Sequence, residues 1–392
     1  MLTKRKQRQQ IFKDWFSFIH HETFSGILLL LSAAAAIVIF NSSIQEQYIS
    51  LLEQPLGWPG FSLSLHHWIN DGLMTLFFFV IGLEIKRERM TGELQSFAAS
   101  LRPVAAAVGG CVIPAALYII INWNLSTLKG WGIPMATDIA FSLGILSLIA
   151  SSAPKNMTVF LTTLAIADDM MAIAVIALFY STDTSPLWIL TGSAALASAF
   201  WLPRIKAVHM FSYIFLGILS WYSFYHGGIH PTITGVILGL SIPMQTKNHP
   251  HLLQQTEHFL HPWSAFFVMP LFALTNAGIS FDSLLLNDLF SPVALGIFAG
   301  LFFGKPLGIT GTILLCKKLG WIAYPPRTSL IHFWGAGSLA GIGFTMSLFI
   351  ASLAFSDPVF LAQSKIGILT ASCFSALWGM IILNCLSSKN RT

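Results

Sequence analysis

Two adjacent aspartates, Asp168 and Asp169, lie in a run from Met157 to Tyr180 that carries no other charge. At about 1.5 Å of rise per residue, a helix over this run is long enough to span a lipid bilayer. The carboxylates would then lie near the middle of the membrane, where an aspartate costs about 2.5–3.5 kcal/mol. Because neighbouring helical residues point about 100° apart, one carboxylate can face a partner while the other faces a cavity. The pattern predicts a buried ion or proton site; the simpler alternative is a pair of satisfied acids that hold helices together.

Composition sets the class of the protein. Of its 392 residues, 55% are hydrophobic and 9% are charged, whereas a soluble domain carries about 25% charged residues. This balance predicts an all-α polytopic membrane protein with a single domain over residues 1–392. The net charge of +5 does not indicate a nucleic-acid partner, because the basic residues are scattered over the ends of apolar runs. The cysteines, interpreted as small core residues rather than disulfides or metal ligands, are Cys111, Cys316, Cys373 and Cys385.

Apolar runs predict twelve membrane-spanning helices. Their ranges are 22–41, 66–86, 102–121, 130–151, 157–180, 186–202, 208–224, 229–243, 256–277, 292–316, 328–352 and 361–385. An N-terminal lead-in (1–21) precedes the first span, a hairpin outside the bilayer is predicted within residues 42–65, and the main helical bundle occupies 66–385.

The distribution of Lys and Arg predicts the orientation of the chain. If each span crosses once from a cytoplasmic N-terminus, all 21 Lys and Arg except Lys129, Lys305 and Lys365 fall on the cytoplasmic side. The opposite orientation would invert this bias. Because basic loops favour the cytoplasm, both termini are expected to be cytoplasmic.

Two predicted spans contain residues that break helices. Span four carries Pro134 shortly before Thr137 and Asp138, and proline removes a helical hydrogen bond. The glycine-rich run of span eleven includes Gly341 and Gly343, and each glycine weakens a helix by about 1 kcal/mol relative to alanine. Their spacing predicts two discontinuous helices in triplets of opposite orientation, spans 3–5 and 10–12. A simple kink at the proline and close helix packing at the glycines are the alternatives.

The ionisable side chains in the middle of predicted spans are Asp138, Asp168, Asp169 and Lys305. A buried ammonium needs an anionic partner, and the triplet symmetry places spans five and ten together, so one of the paired aspartates is the natural partner of Lys305. Because there are three acidic side chains and one basic one, some carboxylates have no basic partner. Together with hydroxyl and backbone oxygens, these carboxylates suit a small hard cation. Since the same carboxylates can bind protons when the cation leaves, the pattern predicts exchange of Na⁺ for H⁺.

Two other transport functions are alternatives. A cation-coupled symporter of an organic anion would need a second polar cluster, such as a mid-membrane arginine, and the predicted spans contain none. A passive cation channel would conduct without consuming a counter-gradient, and broken helices with paired carboxylates favour occlusion over free flow.

Acids and bases alternate at one predicted membrane boundary. Glu84, Arg87 and Glu88 end span two, and Glu257 and His258 begin span nine. One interpretation is a titratable cluster that tunes activity with pH, helped by histidine. The other is an ordinary basic border whose long side chains reach the membrane surface. The residues alone favour neither.

Six stretches, in the same order and spread over nearly the whole chain, closely resemble those of the bacterial NhaA-type Na⁺/H⁺ antiporters. They are residues 79–88 (FVIGLEIKRE), 136–141 (ATDIAF), 165–169 (AIADD), 260–263 (LHPW), 304–308 (GKPLG) and 341–347 (GIGFTMS). Two positions depart from the expected pattern. Gln254 stands where a basic residue is expected, which concerns the pH set-point, and Ala167 replaces a larger aliphatic residue.

The resemblance implies a fold and a site. Twelve helices are expected, with the fourth and eleventh unwound and crossing at mid-membrane. Asp169 would be the main Na⁺ ligand, beside Asp168, which would pair with Lys305. Thr137 would lend an oxygen to the transiently bound Na⁺ or Li⁺. Asp138 would neutralise the positive half-helix ends, and Lys305 the negative ones.

The resemblance also implies the activity. Exchange would be electrogenic, with two protons entering per Na⁺ or Li⁺ leaving, and would shut down at acidic pH without any cofactor. The implied pH-sensing residues are Glu84, Arg87, Glu88, Glu257 and His258. The hairpin would join a homodimer in the bacterial inner membrane.

Overall fold

The protein is described by a computed structural model over residues 22–92, 94–148, 155–181, 184–204, 209–246, 251–280, 286–322 and 328–389. This part of the chain is all-α apart from one two-stranded hairpin, as the sequence predicts. The predicted N-terminal lead-in, residues 1–21, lies outside the described residues.

The helices are labelled in chain order. They are α1 Glu22–Phe40, α2 Gln45–Glu53, α3 Leu65–Thr91, α4 Phe97–Ile121, α5 Ile139–Leu148, α6 Lys155–Phe179, α7 Pro186–Trp201, α8 Met210–Gly227, α9 Ile233–Ser241, α10 Leu252–Trp263 continuing through Ser264–Val268 into Met269–Asn276, α11 Pro292–Lys318, α12 Leu330–Ala340, α13 Phe344–Ala354 and α14 Pro358–Lys389. A 3₁₀ helix, Ser126–Met135, precedes α5, and a single turn, Leu286–Leu289, precedes α11.

Within the described residues, five helices are long and apolar enough to cross a membrane: α3, α4, α6, α11 and α14. The number rises to seven if each of two bent pairs, α1 with α2 (112°) and α12 with α13 (51°), counts as one span. The fold is therefore that of a multi-pass membrane protein. The described helices overlap all twelve predicted ranges, but α7 and α9 have only 16 and 9 residues. Twelve crossings and the inverted triplets stay predictions.

The predicted hairpin is present but shorter than the range assigned to it. Strands β1 (Pro55–Trp58) and β2 (Phe61–Ser64) pair antiparallel, with Trp58 opposite Phe61. Gly60 has a φ of 98°, which only glycine adopts freely, and so permits the tight turn. The earlier residues form helix α2 instead, because Leu52 packs into the core and the Tyr48 hydroxyl donates to the Leu274 carbonyl.

Helices α3 and α9 pack with their backbones in contact. A Cβ added at Gly82 would lie 2.4 Å from the Val236 carbonyl oxygen, and one added at Gly239 would lie 2.5 Å from that of Phe79. Glycine at these positions permits the close approach of the two helices, because it has no side chain. The Lys86 ammonium then donates to main-chain carbonyls at the end of α9 (2.6 and 2.8 Å), which ties the two helices together.

We expect Gly82→Ala to lower the thermal unfolding midpoint of the purified protein, because the added methyl group meets the α9 backbone. Overpacking of this kind costs about 1–3 kcal/mol. Gly311→Ala is the matched control, since among the described residues a Cβ there meets no heavy atom within 4 Å apart from its own helix backbone and chain neighbours. Thermal melts of both variants in detergent test the packing; equal midpoints would contradict it.

Candidate ion-binding site

The first of two helix breaks, at which the helix is interrupted but the chain is continuous, precedes α5. The 3₁₀ helix ends at Met135, residues 136–138 are extended, and α5 begins at Ile139. Pro134 lacks the N–H that a continuing α-helix would need. Ala136, Thr137 and Asp138 are buried, so their backbone groups need partners other than a helix.

The second break separates α12 from α13, which bend by 51°. Gly341 and Gly343 lie at this break. A Cβ at position 341 would lie 2.5 Å from the Leu301 carbonyl oxygen, and one at 343 would lie 3.0 Å from that of Ala136. The second contact shows that the two breaks touch. Glycine is required at these positions because other backbone atoms approach so closely. The glycines therefore serve both purposes considered from the sequence, since they lie at a helix break and permit close helix packing.

The carbonyl end of α12 receives hydrogen bonds from the first break. The donor–acceptor pairs are Ser142 Oγ to Leu339 O (2.8 Å), Thr137 Oγ1 to Ala340 O (2.8 Å) and Asp138 N to Ile342 O (2.7 Å). In return, Ser347 Oγ of α13 donates to the Ile133 carbonyl at 2.8 Å. Each broken segment thus satisfies backbone groups that the other leaves without helical partners.

Asp138 lies at the start of two helices at once. Its Oδ1 accepts from the main-chain N–H of Phe141 in α5 (3.0 Å). Its Oδ2 accepts from the main-chain N–H and the hydroxyl of Thr345 in α13 (3.0 and 2.5 Å). A carboxylate stabilises the positive end of a helix dipole. Asp138 therefore faces the partial positive charge of both half-helices.

Lys305 forms an ion pair with the first of the adjacent aspartates. Its Nζ lies 2.6 Å from Asp168 Oδ2 and donates to Thr137 Oγ1 at 2.9 Å. The side chains are about 1% exposed, so each charge depends on the other. The Thr137 hydroxyl in turn donates a hydrogen bond to the carbonyl end of α12. Lys305 therefore acts on that helix end through the threonine hydroxyl and not by direct contact.

The backbone of α11 directs Lys305 inward. A π-helical segment, Ala299–Gly304, ends immediately before it, and such segments rotate the side chains that follow. Gly308 packs so closely on α4 that an added Cβ would lie 2.1 Å from the Gly109 carbonyl oxygen. This close contact holds α11 against α4, and Lys305 reaches Asp168 of α6 and Thr137 at the first helix break.

Asp169 is fully buried, and neither of its carboxylate oxygens accepts a hydrogen bond within the described residues. A buried carboxylate without a partner is rare and expensive. The carboxylate of the neighbouring Asp168 acts on that of Asp169 electrostatically, and the hydroxyl of Thr137 contacts the lysine that pairs with Asp168. Oxygen groups of this kind are the ligands that a small hard cation prefers. The arrangement can therefore bind a cation or protons at Asp169.

The predicted boundary cluster is partly assembled. Arg87 of α3 forms ion pairs with Glu88 (3.3 Å) and with Glu257 of α10. His258 lies close enough to Glu257 for the two side chains to interact electrostatically. Glu84, one helical turn before Glu88 on α3, is close enough to Asp169 for its charge to act on that carboxylate. Its position therefore connects the boundary cluster electrostatically with the buried site.

Sequence reasoning missed several residues that build the site. Ser142, Ser347 and Thr345 supply hydroxyl groups to the crossing, and Cys111 donates through its Sγ to Asp168 Oδ1 at 3.1 Å. Cys111 was interpreted only as a core residue. Single small polar residues in apolar runs have no periodic signal; the only hint for Ser142 was its position one helical turn after Asp138.

Apolar helices with two interrupted segments that meet beside buried carboxylates define the class of secondary ion transporters rather than enzymes. The family model described as Na⁺/H⁺ antiporter 1 matches residues 16–383. The chain belongs to this family, the NhaA-type Na⁺/H⁺ antiporters, as its motifs predicted.

Relatives cover the chain almost from end to end. Na⁺/H⁺ antiporter NhaA 2 of Clostridium beijerinckii is 45% identical over 99% of this chain and 98% of its own length. Na⁺/H⁺ antiporter NhaA of Pelagibacter ubique is 44% identical over 95% and 97%, and that of Vibrio vulnificus is 43% identical over 95% and 95%. The matched region therefore extends over nearly the whole chain.

Proposed function

We propose that this protein exchanges cytoplasmic Na⁺ or Li⁺ for external H⁺ by alternating access. One observation carries the proposal: Asp169 is buried, accepts no hydrogen bond among the described residues, and lies beside the Asp168–Lys305 pair. The names of the antiporter relatives support the same cargo. Na⁺ and H⁺ are substrates here, and the proposed mechanism needs no cofactor.

Competition for the same oxygens couples the two ions. A cation that binds Asp169 and Asp168 competes with the Lys305 ammonium group for the oxygens that accept its hydrogen bonds, namely Asp168 Oδ2 and Thr137 Oγ1. The positive charge of the cation then replaces that of the lysine. When the cation leaves, Asp168 pairs again with Lys305 and a proton satisfies Asp169. A second proton taken up by the Asp168–Lys305 pair for each Na⁺ released makes the exchange electrogenic.

The test is ion flux in everted membrane vesicles. A pH gradient is formed by respiration, and Na⁺ or Li⁺ is then added. The expected result is that either cation, but not choline, dissipates the gradient. The ratio of protons to Na⁺ follows from the membrane potential at which net flux reverses. A ratio of two would support electrogenic exchange, and a ratio of one would contradict it.

The same assay separates the alternatives. A passive channel would let Na⁺ flow without any counter-movement of H⁺, and clamping the pH gradient would leave its Na⁺ flux unchanged. A symporter would need an organic anion for Na⁺ flux. A Na⁺ flux that depends on the pH gradient and needs no organic anion supports antiport.

We further propose that Glu84 and the Arg87–Glu88–Glu257–His258 cluster regulate activity with pH. Arg87 bridges α3 and α10 through its contact with Glu257. We expect Arg87→Gln and Glu257→Gln each to shift the pH–activity profile, and the double variant to shift it no further, because all three lose the same contact. Additive shifts would show that the contact is not the regulatory element.

Assembly and placement complete the proposal. The hairpin packs Phe61 and Leu63 of β2 against Trp221 of α8 and leaves Leu56 and Trp58 of β1 exposed, which supports the proposed role of the hairpin as a homodimer contact. The basic residues support insertion in the bacterial inner membrane with both termini in the cytoplasm. Cross-linking across the hairpin in native membranes, and accessibility of tags at either end, test these two points.

A further inference from the structure

The two oxygens of Asp168 have different partners. Lys305 Nζ lies 2.6 Å from Oδ2, and the thiol of Cys111 donates to Oδ1 at 3.1 Å. The cysteine is buried on α4, so water does not compete for the carboxylate. The neighbouring Asp169 accepts no hydrogen bond within the described residues. One member of the pair is thus held from both sides while the other is not.

The thiol has a second acceptor within reach. Cys111 Sγ also lies 3.9 Å from the main-chain carbonyl oxygen of Met135, the last residue of the 3₁₀ helix before the first helix break. The sulfur atom of Cys111 therefore lies between α6 and the first helix break. If the carboxylate turns away, the S–H can turn to this carbonyl and is not left without an acceptor.

We propose that Cys111 is a positioning residue that sets the apparent affinity for Na⁺ by holding Asp168 in the orientation that faces Lys305. This inference rests on the proposed antiport function. A cation that recruits Asp168 must compete with both donors, and a thiol is a weak donor. The hold is therefore strong enough to favour the lysine pair and weak enough to release it.

Side chains of similar size make the proposal directional. Alanine cannot donate, so Cys111→Ala removes a contact that opposes cation binding. Serine donates more strongly than cysteine, so Cys111→Ser strengthens that contact. We expect the KM for Na⁺ to fall about two- to tenfold in Cys111→Ala and to rise in Cys111→Ser, with similar maximal rates, on the scale of one hydrogen bond.

The experiment measures Na⁺-dependent dissipation of a pH gradient at one fixed pH over a range of Na⁺ concentrations. Cys316→Ala is the control, because Cys316 is equally buried (4% exposed) but lies near the end of α11 that is remote from Lys305. Its KM should equal that of the wild type. Thermal melts show whether each variant is folded; if Cys111→Ala is not, Cys111→Val, which also lacks a donor, replaces it.

Opposite shifts of KM in the alanine and serine variants support the proposal. Shifts in the same direction, or a loss of maximal rate without a change in KM, would mean that Cys111 only fills space, and would overturn it. If wild-type vesicles show no Na⁺-dependent proton flux at all, the proposed function fails and this inference fails with it. If they do and the order of KM values is absent, only this inference fails.

Discussion

Replacing Asp169 by asparagine is expected to abolish Na⁺-dependent proton flux. Asparagine keeps the shape of the side chain but removes the charge from the buried carboxylate that accepts no hydrogen bond in the described structure. Losing one partner of a buried charge interaction costs about 3 kcal/mol or more, which is over a hundredfold in affinity. Raising the Na⁺ concentration within the assay range should not restore transport.

The fold should survive this change. Within the described part of the chain, the side chain of Asp169 makes no hydrogen bond that asparagine would lose, and the substitution removes an unpaired buried charge. We therefore expect an unchanged or higher thermal midpoint. Asp357→Asn is the matched control, because Asp357 is exposed and caps the main-chain N–H of Val359 (2.8 Å), which asparagine also does. Full activity of Asp169→Asn in vesicles would mean that the site is wrongly placed.

Lys305→Ala is expected to be the most destabilising single change at the site. It leaves the buried Asp168 carboxylate with the thiol of Cys111 as its remaining side-chain hydrogen-bond donor among the described residues. Removing one partner of a buried ion pair costs about 3–5 kcal/mol, because the other charge stays desolvated. The thermal midpoint of the purified variant at neutral pH should fall well below that of the wild type.

A second substitution separates charge from packing. In Lys305→Ala/Asp168→Asn no charge is left unpaired between these two positions, so most of the lost stability should return. Lys129→Ala, at an exposed lysine, should change the midpoint little. A double variant as unstable as Lys305→Ala would show that the lysine stem, packed against α4, matters more than its charge.

The sequence predicted the parts of this fold that follow from composition and from residues with strong local effects. Apolar runs located the helices, and Pro134 and the paired glycines located both breaks. Charge balance predicted that Lys305 pairs with an aspartate, but the residues alone did not decide between Asp168 and Asp169. That choice depends on the rotation of α6 relative to α11, which packing sets and no local pattern reveals.

Other features depended on long-range geometry and could not be predicted. The hydroxyl of Ser142 and the thiol of Cys111 find their hydrogen-bond acceptors on segments that are distant in the sequence. Lys86 was part of a basic border in the sequence, but in the structure its ammonium caps the end of α9. Each contact joins residues more than fifty positions apart.

The crossing of the two interrupted helices has a consequence for biosynthesis. Asp138 and Thr345, which hydrogen-bond to each other, are separated by 207 residues. At about 5–20 residues per second, the ribosome needs about ten to forty seconds to extend the chain from the first to the second. During this interval the N-terminal half resides in the membrane with an acid and an extended backbone segment awaiting partners. Nascent chains stalled before residue 330 should consequently be the preferred substrates of membrane proteases and insertion chaperones.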